Sequence, residues 1–131
     1  MRSDEIRFGV IGAGNMGEAI LRGYLTNNYA SGAQTAVFDP DAEKCRALER
    51  DLGVSVAQSL AELIEQSDLL LIAVKPNVCA HLFEEQFDRF ADKAVVSIAA
   101  GWGGERLKNA LPATARILRV MPNTPAMIAK A

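Results

Sequence analysis

Three glycines near the amino end carry the strongest indication of chemistry, with the spacing G-x-G-x-x-G over residues 12–17 (GAGNMG). An apolar run at Ile6–Ile11 precedes them directly, and a helical pattern at Asn15–Thr26 follows. Such a turn can hold a diphosphate, because glycine lets an anion approach the backbone and the helix amino end offers unpaired N–H groups and a positive dipole. We therefore expect backbone amides here to bind the pyrophosphate of NAD(H) or NADP(H), in preference to a glycine-rich turn without a ligand.

An acidic side chain stands where the ribose of such a cofactor is usually bound. Asp39 closes the second predicted strand, 22 residues after Gly17. A carboxylate there accepts hydrogen bonds from the adenosine ribose and repels a 2′-phosphate, which favours NAD(H). The competing interpretation is structural, because Asp39-Pro40 could form an N-cap and first helical residue. The spacing favours the ribose role, and one side chain could serve both.

Three later segments should meet at the same edge of the sheet, where strands end and ligands of open α/β sheets bind. They are Ala73-Val74-Lys75-Pro76, residues 97–101 (SIAAG) and residues 121–125 (MPNTP). Small residues after the fifth strand would leave room for a nicotinamide ring, and Asn123 and Thr124 could supply polar contacts. Taken alone, each segment is equally well explained as an ordinary turn.

Strand-like and helix-like segments alternate along the chain. The predicted strands are Ile6–Ile11, Thr35–Phe38, Val54–Val56, Leu69–Val74, Ala94–Ile98 and Arg116–Val120. The predicted helices are Asn15–Thr26, Asp41–Leu52, Ser59–Gln66, Val78–Phe90 and Gly104–Leu111. This alternation predicts an α/β fold, a Rossmann-type doubly wound, mostly parallel sheet with helices on both faces. Cys79, Leu82, Phe83, Phe87 and Phe90 recur at helical spacing and are expected in the core.

Composition narrows the function classes. The 131 residues suit one domain, half are hydrophobic, and the net charge of −2 comes from mixed signs without a basic stripe. We therefore expect no nucleic-acid partner, no membrane segment and a cytoplasmic location. Cys45 and Cys79 are expected to be reduced cysteines rather than a disulfide or a metal site. The catalytic residue stays unknown, because no nucleophile–base set appears and His81 is expected at the surface or in a cap.

Four segments together resemble one family, pyrroline-5-carboxylate reductase, in order and spacing over nearly the whole chain. They are Phe8–Gly17, Ala73–Pro76, Ser97–Gly101 and Arg119–Pro125. The resemblance implies reduction of the C=N bond of 1-pyrroline-5-carboxylate to L-proline, in proline biosynthesis, with NADP or NAD as cofactor.

The resemblance also implies roles for individual residues. The pyrophosphate would be lined by Ile11, Gly12, Ala13, Gly14, Asn15 and Met16, and the adenosine ribose would contact Asp39. The nicotinamide ribose would lie beside Ala73, Val74, Lys75 and Pro76, and the nicotinamide near Ala99 and Ala100. The substrate pocket would be bordered by Asn123 and Thr124.

Members of this family continue into a second, helical domain that forms the dimer and completes the substrate site, whereas this chain stops at Ala131. Residues 1–131 are accordingly expected to be the NAD(P)-binding Rossmann domain of a homo-oligomeric enzyme, with activity of the isolated chain in doubt. Two alternatives stay open: a related 3-hydroxy acid dehydrogenase, and a dinucleotide-binding module without turnover. The preference between NADH and NADPH is open as well.

Overall fold

The secondary structure was obtained from a computed structural model that describes residues 6–12, 15–26, 34–99, 101–102 and 104–119. Within these ranges the strands are Phe8–Ile11 (β1), Thr35–Phe38 (β2), Ser55–Val56 (β3), Leu69–Ile72 (β4), Ala94–Ser97 (β5) and Arg116–Arg119 (β6). The α-helices are Asn15–Thr26 (α1), Ala42–Leu52 (α2), Leu60–Gln66 (α3), Pro76–Glu85 (α4) and Gly104–Ala110 (α5). A 3-10 helix, Phe87–Phe90, follows α4.

The six strands form one sheet in the order β3-β2-β1-β4-β5-β6, and every neighbouring pair is parallel. The central pair aligns Phe8 with Leu69 and Ile11 with Ile72. Strand order reverses between β1 and β4, because the chain first builds outward to β3 and then returns to build the other half. This confirms the predicted doubly wound α/β fold and creates a switch point at the carboxyl end of β1.

Alternation along β1 divides the core into two layers. Val10 packs with Leu21 of α1 and with Cys45 and Leu48 of α2 on one face. Its neighbour Ile11 belongs to the other layer, which α3, α4, the 3-10 helix and α5 cover. Successive side chains of a strand point to opposite faces, so these layers lie on the two sides of the sheet.

The two cysteines are separated by this arrangement. Cys45 lies in the α1–α2 layer and Cys79 in the opposite layer, and both are buried free thiols. The expectation of reduced cysteines is thereby confirmed in the fold. Among the described residues, no helix is long and apolar enough to cross a bilayer.

Local capping fixes where helices begin and end. Asp41 caps α2, because its carboxylate accepts hydrogen bonds from the backbone N–H of Glu43 and Lys44. Gly53 ends the same helix at a φ of 73°, a conformation that favours glycine. In α3 the Ser59 hydroxyl accepts a 3.1 Å hydrogen bond from the Glu62 N–H, which caps the start of the helix.

Helix α4 differs most from the sequence prediction. It starts at Pro76 rather than Val78, because proline fits the first helical position, where its missing N–H is not needed. It also stops at Glu85, and the following 3-10 turn changes the angular spacing of the side chains. Phe87 is consequently 41% exposed, so its predicted place in the core is wrong, whereas Cys79, Leu82, Phe83 and Phe90 are buried as predicted.

Candidate dinucleotide-binding site

A tight turn at Gly12 ends β1 at the switch point. Gly12 has a φ of 99°, and its N–H donates a hydrogen bond of 2.8 Å to the carbonyl of Phe38. A Cβ at this position would lie 2.8 Å from the carbonyl carbon and oxygen of Ala73. The turn therefore requires glycine both for its dihedral angle and for the backbone that lies against it. Since the Gly12 N–H is used within the sheet, an anion would have to be held by the amides that follow.

Gly17 brings α1 close to this turn. A Cβ on Gly17 would lie 2.9 Å from the Cβ of Ala73 and 2.9 Å from the carbonyl oxygen of Gly12. Glycine at this position therefore lets α1 pack closely against the end of β1 and the start of the β4 loop. The first amides of a helix lack partners within the helix, so α1 directs unpaired donors to the carboxyl edge of the sheet. Ala13 and Gly14 lie outside the described residues, and only the backbone of Asn15 and Met16 is described.

Asp39 follows β2 beside the same turn, since the preceding residue, Phe38, accepts the Gly12 hydrogen bond. Its side-chain Oδ1 accepts a 2.8 Å hydrogen bond from the N–H of Asp41. The N-cap of α2 is Asp41, and the helix starts at Ala42. The structural interpretation of Asp39-Pro40 as N-cap and first helical residue is therefore wrong, because the chain turns for two more residues before the helix begins.

Sequence reasoning missed a contact behind Asp39. The Cys45 Sγ donates a 3.6 Å hydrogen bond to the carbonyl oxygen of Asp39, which ties the loop to α2. Burial raises the pKa of the Cys45 thiol, so the donor proton is retained. The sequence spacing could have indicated that Cys45 is buried, because Cys45 and Leu48 are three residues apart and therefore share one face of α2.

The β4 loop leaves the sheet at the same edge. The N–H of Ala73 donates to the carbonyl of Ile11 at 2.8 Å, which joins this loop to the end of β1. Lys75 has an extended backbone as the N-cap of α4, and its side chain is exposed. Ala73 and Val74 are half-buried, whereas Lys75 and Pro76 are exposed at the rim.

The β5 loop lies next to it. The buried Ser97 hydroxyl accepts a 3.2 Å hydrogen bond from the N–H of Ala99. The Ala99 carbonyl in turn accepts from the N–H of Trp102 at 3.2 Å, which closes a turn in which Gly101 has a φ of 80°. Ala99 is half-buried, whereas Ala100, Asn123 and Thr124 lie outside the described residues.

The structure thus brings four predicted groups to one edge: Gly12 with the amino end of α1, Asp39, residues 73–76 and Ala99. Among the described residues, no cluster of three histidine, cysteine or acidic side chains could hold a metal ion. His81 lies on the exposed face of α4, 2.9 Å from Glu85, as a surface residue. The arrangement can bind and orient an extended anionic ligand.

Comparison with known proteins agrees with this geometry. The chain is 38% identical over 125 residues to the pyrroline-5-carboxylate reductase of Escherichia coli, covering 95% of this chain and 46% of that protein. A solved pyrroline-5-carboxylate reductase from Coxiella burnetii superposes with a TM-score of 0.85 at 28% identity, covering 95% of this chain and 47% of that one. The Plasmodium falciparum pyrroline carboxylate reductase, solved with NADP bound, shares the fold with a TM-score of 0.82 at 24% identity, covering 97% and 46%.

The resemblance predicted from the four motifs is confirmed by these relatives, although the chain spans about half of their length. A family model described as NADP oxidoreductase, coenzyme F420-dependent, matches residues 7–101. That match includes β1 through β5 together with Gly12 and Gly17. The chain belongs to this NADP oxidoreductase family.

Proposed function

We propose that this chain is the cofactor-binding domain of an NAD(P)H-dependent reductase that converts 1-pyrroline-5-carboxylate to L-proline. This choice of substrate is supported by the similarity to two proteins named pyrroline-5-carboxylate reductase. They are 38% and 40% identical to this chain over 95% and 92% of its length. Both relatives extend beyond the match, since the chain covers 46% and 45% of them. The activity of the whole enzyme is therefore part of the proposal.

The described residues fit a dinucleotide. Gly12 and Gly17 pack against Ala73 with no space for a Cβ, which holds the amino end of α1 close to the end of β1, where a phosphate would be bound. Helix α1 is 12 residues long, which is enough to give its amino end a substantial dipole. Asp39 lies on the β2 side of the switch point, and the loops after β4 and β5 lie on the other side. A dinucleotide could therefore place its adenosine half on the first side and its nicotinamide half on the second.

Each group of residues has a binding role in this proposal. The pyrophosphate lies along Ile11 to Met16, and the adenosine ribose contacts Asp39. Residues 73–76 and 99–100 border the nicotinamide end, and Asn123 and Thr124 border the substrate. When bound, the reduced nicotinamide supplies a hydride for the C=N carbon. The contribution of the chain is to hold the two partners in reacting geometry, and no side chain is assigned a proton-transfer role.

We propose that the domain accepts both NADP and NAD. The Asp39 carboxylate disfavours a 2′-phosphate by charge repulsion, which is strongest where the carboxylate is partly shielded from water, and Asp39 is half-buried. The family description and the Plasmodium falciparum relative both name NADP. Comparing the dissociation constants of NADH and NADPH measures how far Asp39 decides between them.

The catalytic proposal is tested with a hybrid protein. This chain is joined to the part of the Escherichia coli relative that lies outside the match, and NADPH oxidation is followed by its near-ultraviolet absorbance with 1-pyrroline-5-carboxylate added. We expect oxidation that depends on the imine, and its loss in a Gly12→Val hybrid, because the new side chain collides with Ala73. A hybrid that binds NADPH but never oxidises it would overturn the reductase proposal and favour a binding module.

Location and assembly complete the proposal. Two buried free thiols, Cys45 and Cys79, suit a reducing cytoplasm. The relatives support a small-molecule substrate, and we propose that the longer enzyme is a homo-oligomer with residues 1–131 as one Rossmann domain.

A further inference from the structure

The two loops that follow β4 and β5 are joined by one side chain. Trp102 lies 6% exposed, and its indole N–H donates a 3.0 Å hydrogen bond to the carbonyl oxygen of Pro76, at the start of α4. Its own backbone N–H closes the β5 turn on Ala99. A single residue therefore bonds both loops, and it is the sole tryptophan of the chain.

Two further side chains contact the indole. Its ring meets Phe83 of α4 in an edge-to-face contact, with centroids 5.1 Å apart at an angle of 74°. The Arg106 guanidinium carbon lies 3.9 Å from the ring centroid, a cation–π distance. Arg106 also donates to the carbonyl of Gly101 at 3.2 Å, so α5 fixes the turn that Trp102 closes.

These contacts lie on one side of the switch point. Both linked loops follow β4 and β5, whereas Asp39 follows β2 on the opposite side of β1. A dinucleotide that straddles this point places its nicotinamide end against the linked loops and its adenosine end against Asp39. The link therefore bears on one half of the ligand only.

We infer that Trp102 and Arg106 are positioning residues that hold the β4 and β5 loops at the spacing needed by the nicotinamide half of the cofactor. This inference rests on the proposed function. Trp102→Phe should remove this link without preventing folding, because phenylalanine keeps an aromatic ring against Phe83. The Pro76 carbonyl can still accept a backbone hydrogen bond within the first turn of α4. Loss of the indole N–H frees the loops from each other without leaving a buried donor unpaired.

The test compares two ligands that share the same adenosine half. NADH engages both sides of the switch point, whereas ADP lacks both the nicotinamide and its ribose and therefore does not reach the linked loops. We expect Trp102→Phe to weaken NADH binding by about fivefold or more, as for loss of one buried hydrogen bond, and to leave ADP binding within about twofold. Dissociation constants come from titration calorimetry on the intact chain.

Two further variants separate positioning from general stability. Arg106→Met should reproduce the selective loss of NADH affinity, and Arg106→Lys should rescue it, because lysine keeps a cation and a donor for Gly101. Phe90→Leu is the matched control, since Phe90 meets Phe83 edge-to-face at 5.6 Å but bonds neither loop. It should lower stability while leaving the ratio of NADH to ADP affinity unchanged.

The outcomes separate the positioning role from dinucleotide binding itself. Equal weakening of both ligands by Trp102→Phe, or no change in either, would overturn the positioning role while leaving dinucleotide binding intact. Failure of the unmodified chain to bind either ligand would instead overturn the proposed function, and the inference with it.

Discussion

Substituting Gly17 by alanine tests the close packing on which the candidate site depends. The added Cβ would lie 2.9 Å from both the Ala73 Cβ and the Gly12 carbonyl oxygen. Non-bonded carbon atoms prefer about 3.5–4.0 Å, and the Gly12 oxygen is backbone that cannot rotate away. Helix α1 must therefore move outward by several tenths of an ångström, which carries its amino end away from the edge of the sheet.

The expected magnitude is a balance of two effects. Overpacking of this kind costs about 1–3 kcal/mol, and alanine in place of glycine within a helix returns up to about 1 kcal/mol. We therefore expect a net loss of up to about 2 kcal/mol in the free energy of unfolding. Affinity should fall further, since one displaced amide–phosphate hydrogen bond is worth about 1.5–3 kcal/mol, or at least about tenfold in the dissociation constant of NADH and NADPH alike.

Denaturant unfolding and titration calorimetry measure the two effects separately. Gly53→Ala is the matched control: Gly53 has a φ of 73°, and no atom lies within 4 Å of the place a Cβ would occupy, so alanine there costs about 1–2 kcal/mol through strain alone. It should leave both dissociation constants unchanged. In the Gly17→Ala background, Ala73→Gly removes one of the two collisions and should restore part of the stability. Unchanged cofactor affinity in Gly17→Ala would refute the reasoning.

Three other outcomes are expected. Asp39→Ser should shift the ratio of NADPH to NADH affinity toward NADPH by about tenfold, since a charge repulsion is removed, whereas Asp41→Ala should cost about 1 kcal/mol of stability as a lost cap and leave that ratio unchanged. Burial raises the pKa of Cys79 from 9.0 to about 11, so the unfolded chain loses its proton first and the free energy of unfolding should fall as pH rises from 9.0 to about 11; a Cys79→Ala variant should show a shallower fall in denaturant titrations. Ala73→Val should lower NADH affinity as Gly17→Ala does, measured by the same titration, because its extra methyls point at the same helix.

Sequence alone predicts the elements whose ends are set locally. The predicted bounds of residues 15–26 and 35–38 are those that the structure shows, and Gly53 and Ser59 mark helix ends through their own dihedral angles and hydroxyls. Where the boundary depends on the next element, prediction is less accurate. The end of α4 at Glu85 is an example, because the following 3-10 turn leaves Phe87 exposed while Phe90 stays buried.

The site shows the same division. Local spacing is enough to expect Gly12, Gly17, Asp39 and residues 73–76 at one edge of the sheet, and the structure has them there, whereas residues 121–125 lie outside the described ranges. Local spacing does not predict hydrogen bonds between distant segments. The Gly12 amide is bonded to Phe38 and the Trp102 indole to Pro76, and each partner is 26 residues away in the chain. These bonds depend on strand order and register, which a local pattern does not specify.

Ala73 explains why both halves of the site depend on small residues at the centre of the sheet. Its N–H is bonded to the end of β1, its carbonyl lies beneath the Gly12 turn, and its Cβ faces Gly17 of α1. The same residue begins the β4 loop that Trp102 ties to β5 through Pro76. A change of volume at Ala73 must therefore displace the amino end of α1 together with the β4 loop, which in the proposed complex face the pyrophosphate and the nicotinamide end. A change at Trp102 is expected to displace only the loop. The two halves of the proposed site can therefore be perturbed separately at their outer contacts, but they share one packing constraint where strand order reverses.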